Sequence, residues 1–64
     1  MTKETAEELV RQWTEKVHQM RVLRSVKADG TAIGMGTCAY KLAIEAGVTP
    51  PPALVTYLKQ QGVL

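Results

Sequence analysis

Ala6, Val10, Trp13, Val17 and Met20 recur at spacings of four, three, four and three, with Leu9 widening the stripe. That interval returns side chains to one side of an α-helix and to no other regular structure. Thr2 or Thr5 supplies an N-cap, and Glu4, Glu7 and Glu8 sit where the positive end of the helix dipole favours them. Glu7, Arg11 and Glu15 form an i, i+4 ladder on the outer side. Together these features predict a helix from Lys3 to Met20.

A chain of 64 residues holds one domain, residues 1–64, and buries only about 60 % of the surface its unfolded form exposes. Small scaffolds commonly rely on disulfides, a metal or a partner subunit. Cys38 is the only cysteine and His18 the only histidine, so neither an intrachain disulfide nor a tetrahedral metal site is expected. No cofactor and no small-molecule substrate is expected either. By elimination the reinforcement is self-association, as a homodimer. A lone thiol suits a reducing compartment. The charged start, Met1 to Glu8, lacks the apolar core of a signal peptide. No apolar run nears the ~20 residues that cross a bilayer. The expected location is cytoplasmic, with no membrane partner.

Past Met20 the stripe lands on Arg24 and Lys27, while Val22, Leu23 and Val26 fall out of phase. Two readings stay open. In one the helix runs on to Asp29-Gly30, with Gly30 as a left-handed cap. In the other Arg21 to Ala28 is a strand, Asp29-Gly30 a hairpin turn, and Thr31 to Gly34 the return, with Val26 facing Ile33. Gly34-Met35-Gly36 then acts as a breaker. Thr37 caps a second helix, Cys38 to Ala46, with Ala39, Leu42, Ala43 and Ala46 as its apolar positions and Gly47 as its end. Thr49 caps a third helix with Pro50, Pro51 and Pro52 in its first turn. Ala53, Leu54, Val55, Tyr57 and Leu58 supply its apolar side, and Gly62 closes it. The expected fold is mainly α, a small bundle of three helices, with the β-hairpin between helices 1 and 2 as the open alternative.

Catalysis finds little support. Cys38 would need a base and an oxyanion site, and His18 lies on the flank of the first helix. Gly30, Gly34 and Gly36 spell no phosphate loop, because no Lys-Ser or Lys-Thr pair follows them. The expectation is a binding protein and not an enzyme.

The run Leu42 to Thr49 resembles the core of a helix-turn-helix. Ala43 is the small residue four places before the turn glycine Gly47, Val48 the apolar residue after it, and Thr49 the cap. The ending Tyr57 to Leu64 is similar to the way winged-helix and MerR-type reading heads leave their second helix. That resemblance implies a third helix, Thr49 to Gln61, lying in a major groove. Against it, three prolines occupy the turn that usually offers N–H groups to phosphate. No Arg, Asn or Gln stands near the start of the helix to read base edges.

Charge bears on the same question. Residues 1–20 sum to −1 and residues 21–64 to +3. Arg21, Arg24 and Lys27 are three apart and form a basic row on either reading of that segment. The leading expectation is a small DNA-binding regulator in which Arg21, Arg24, Lys27, Lys41, Thr49 and Lys59 contact the duplex. The alternative is a helical interaction module, a homodimer or a small inhibitor or adaptor of a larger protein, using Leu9, Val10, Trp13, Val17 and Met20. Basic residues sharing one face favour the first, and scattered ones favour the second.

Overall fold

The computed structural model describes residues 2–64. Helix α1, Lys3–Val22, forms where the stripe places it and continues slightly past the expected end. Of the two offered caps the chain uses Thr2, whose Oγ1 accepts the Thr5 N–H at 3.2 Å. Ala6, Val10, Thr14 and Val17 are its buried positions. Thr14 tolerates burial because its hydroxyl donates to the Val10 carbonyl at 2.7 Å.

Residues 21–36 depart from both readings of the sequence. Among the described residues there is no strand, and the hairpin with Val26 facing Ile33 does not form. Helix α1 stops earlier than Gly30, and the turn is Leu23-Arg24-Ser25. Helix α2 then runs unbroken from Val26 to Ala46, through Gly30, Gly34 and Gly36. Ser25 starts it, with Oγ accepting the Ala28 N–H at 3.0 Å. Thr37 caps nothing. It lies mid-helix and returns its hydroxyl to the Ile33 carbonyl at 2.8 Å.

The physical reason lies in the buried face of α2: Ala28, Ala32, Gly36, Ala39 and Ala43. Their spacing of four, four, three and four agrees with the four, four and three of the buried α1 residues Ala6, Val10, Thr14 and Val17. Each glycine costs a helix about 1 kcal/mol relative to alanine, and burial of this small-residue face against α1 outweighs it. Gly36 sits where room is scarcest. A Cβ there would stand 3.2 Å from Leu58 Cδ2 and 3.3 Å from Leu54 Cδ1.

Gly47 ends α2 as expected, at a left-handed φ of 71°. The Val48 N–H then closes on the Ala43 carbonyl at 2.8 Å, which satisfies an otherwise free acceptor. Thr49 does not cap helix α3, Pro52–Gln60. Pro51 holds the cap position with no side-chain hydrogen bond. A residue that precedes proline is pushed out of the helical region, and Thr49, Pro50 and Pro51 all precede one. Pro52 is the first that does not, and there α3 begins.

The short turn makes α1 and α2 an antiparallel helical hairpin, and α3 folds back along it. One core cluster joins Val17, Ala32, Ala39, Leu54, Tyr57 and Leu58. The other joins Ala6, Val10, Ala43 and Val48 near the start of α1. The molecule measures 35 × 19 × 15 Å. Most of that length is the hairpin, since twenty helical residues span about 30 Å.

Candidate functional site at the hairpin end

Helical phase decides which side chains the hairpin end presents. Met20 is the last inward-facing residue of α1, so Val22, two positions on, lies about 200° around the helix. Ala28 is the first buried residue of α2, and Val26 is displaced from it by the same angle. Leu23 follows the last helical residue. All three aliphatic side chains therefore face solvent, at 78 % for Val22, 63 % for Leu23 and 91 % for Val26.

Exposed Arg21, Arg24 and Lys27 alternate with them. From Lys16 to Ala28 the sequence holds four basic residues and no carboxylate, the nearest acids being Glu15 and Asp29. The Arg21 guanidinium lies 4.5 Å from the centroid of the Tyr57 ring, a cation–π contact that ties α1 to α3. Arg24 occupies the left-handed region, with φ of 51°. For a residue with a Cβ this conformation costs about 1–2 kcal/mol, and it lets the chain reverse within three residues. A shallow hollow is lined by His18, Arg21, Val22 and Arg24. Another lies among Met20, Leu23, Ser25, Lys27, Ala28 and Thr31.

The six residues expected at a duplex are not all brought together. Arg21, Arg24 and Lys27 all lie at the hairpin end, in the last turn of α1, the connecting turn and the first turn of α2. Lys59 is exposed in the last turn of α3, and the contact from Tyr57 to Arg21 carries that end of α3 toward them. Lys41 lies fourteen residues beyond Lys27 on α2, about 21 Å along the helix. It borders Tyr40, Ile44 and Glu45 instead. Thr49 is at the far end of the molecule, beside Lys3, Glu7, Val10, Arg11, Val48 and Pro51.

The residues expected at a protein interface are largely turned inward. Val10 and Val17 are each 1 % exposed and belong to the chain's own core. Trp13 and Met20 are half-buried against the cluster around Val17. Leu9 is half-buried too. His18 and Cys38 are both exposed, and the hollow beside His18 is not lined by Cys38.

Sequence reasoning missed Val22, Leu23 and Val26 as surface residues. Their signal was the loss of phase after Met20, which the strand reading absorbed. Charge also separates along the molecule. Glu4, Glu7 and Glu8 in the first turns of α1 and Glu45 in the last turn of α2, offset by Lys3, Arg11 and Lys41, sum to −1 at the end opposite the basic one.

Among the described residues no helix is long and apolar enough to cross a membrane. None of their His, Cys, Asp and Glu side chains gather into a group able to hold a metal. No protein-family model matches the chain, and no curated protein or solved structure is similar to it.

Proposed function

We propose that this protein is a non-catalytic binding module that docks polyanions through the basic end of its helical hairpin. The observation that carries the reading is the placement of exposed Arg21, Arg24 and Lys27 at one end of the hairpin, in the last turn of α1, the connecting turn and the first turn of α2, within a stretch free of carboxylates. Clustered cations on a single projecting feature raise the local positive potential well above what a net charge of +2 implies.

Nucleic acid is the polyanion for which the sequence argues. The mode of contact shifts from α3 to the hairpin end. Helix α3 buries Leu54, Tyr57 and Leu58 and starts on prolines, so it offers a duplex few donors. Phosphate contact by the hairpin end carries no sequence information, and the expected binding is nonspecific.

The test is a fluorescence-polarisation titration with mixed-sequence duplex at low salt. Wild type should bind with a Kd below about 100 µM, the weak end of ordinary nonspecific affinity. With three phosphates engaged, log K should fall against log salt with a slope of about −2.7. Replacing Arg21, Arg24 and Lys27 together by glutamate should abolish binding, with circular dichroism confirming that the helices persist. Lys41→Glu, distant from the turn, should cost far less. Wild-type protein that ignores the duplex, or a charge-reversed variant that still binds it, sinks the nucleic-acid form of the reading.

A further inference from the structure

Phosphates account for the cations of the hairpin end but leave Val22, Leu23 and Val26 in water. We infer that the polyanion this end is shaped for is the surface of an anionic lipid bilayer. The inference rests on the polyanion reading above and narrows it to one class of partner.

A bilayer matches both kinds of side chain found at this end. Three aliphatic side chains in or next to the turn at one end of an elongated molecule are exposed at 63–91 %. Arg24 stands in the turn between them, and Arg21 and Lys27 lie one position farther back on α1 and α2. A bilayer offers that sequence of environments: acyl chains and ester groups inside, and anionic headgroups at the rim. The aliphatic groups enter the boundary region, and the long basic side chains reach the headgroups while their stems stay in apolar surroundings. A duplex provides the anionic rim without the apolar interior. A second copy docking end to end provides apolar side chains without the anionic rim, because two basic ends of one sign would face each other across the contact. The sequence predicts no membrane partner because it lacks a spanning helix. Peripheral contact needs none, and it depends on exposure that only the folded hairpin defines.

Two variants separate the contributions. One replaces Val22, Leu23 and Val26 by serine, and the other replaces Arg21, Arg24 and Lys27 by glutamine. Each is mixed with vesicles of phosphatidylcholine alone, with vesicles containing roughly one-third phosphatidylglycerol, and with mixed-sequence duplex. Co-sedimentation and polarisation are the readouts, and a thermal melt verifies the fold.

Wild type should sediment with the anionic vesicles and not with the neutral ones. The serine variant should lose at least about tenfold in vesicle affinity and keep its affinity for duplex. The glutamine variant should lose both. Vesicle binding unchanged in the serine variant would overturn the inserted tip. Binding to duplex but not to anionic vesicles overturns the lipid assignment and leaves the polyanion reading standing. Binding to neither overturns both. A wild-type dimer that the serine variant converts to monomer assigns the tip to a second copy and overturns the proposal.

Discussion

Gly30, Gly34 and Gly36 occupy one helix and differ in what a methyl group would meet. Nothing lies within 4 Å of a Cβ built at Gly30 or Gly34, whereas one at Gly36 presses on Leu54 and Leu58. Gly30→Ala and Gly34→Ala should each stabilise the protein by about 0.5–1 kcal/mol, a rise in Tm of several degrees in a domain this small. Gly36→Ala should gain less than either, and Gly36→Leu should loosen α3, since the added side chain needs the space those two leucines fill. Thermal melts of the four variants test the ranking. A gain at Gly36 equal to that at Gly30 would mean the helices do not approach closely there. These glycines are also why the second helix was hard to read. Glycine counts against a helix in any propensity argument, and its packing value depends on a neighbour absent from the local sequence. The stripe of α1 is legible because most of its side chains are large, and the first half of α2 is hidden because its buried positions Ala28, Ala32 and Gly36 are small and interspersed with further glycines.

At the scale of elements, the boundaries follow from side chains that accept or withhold hydrogen bonds. Ser25→Ala removes the acceptor for the Ala28 N–H and should cost about 1 kcal/mol. Thr49→Ala should change stability by less than about 0.5 kcal/mol, because Thr49 is exposed and caps no helix. A chemical-denaturation pair settles the matter, and a large loss at Thr49 would restore it as the cap. Both boundaries had signals in the sequence. Ser25 is a strong N-cap residue overlooked beside the more conspicuous Asp29-Gly30. The prolines matter here less for the N–H each lacks than for the restriction each places on the residue before it. The candidate site was legible only in part for a related reason. The basic row could be counted in the sequence, but the aliphatic residues between its members became surface only when the turn fell at Leu23-Arg24-Ser25.

For the whole molecule, α3 supplies two of the four largest fully buried side chains, Leu54 and Leu58. Losing one such leucine to alanine costs about 2–5 kcal/mol. A chain of 64 residues has roughly 3–10 kcal/mol to lose. Leu58→Ala should therefore leave a protein near its unfolding threshold at room temperature, and the double Leu54→Ala, Leu58→Ala variant should be unfolded by circular dichroism. A well-folded double variant would show that the helical hairpin stands without its third helix.

The lengthwise sorting of charge has a consequence for how the molecule arrives at a surface. Screening at physiological ionic strength decays over about 8 Å, and the long axis is 35 Å. A negatively charged boundary touched by the arginine-rich pole is therefore shielded from the glutamates at the other. In weaker salt the same separation acts as an electric dipole, turning the rod nose-first while it is still diffusing. Encounter rates should then respond to salt as they do for a far more cationic protein.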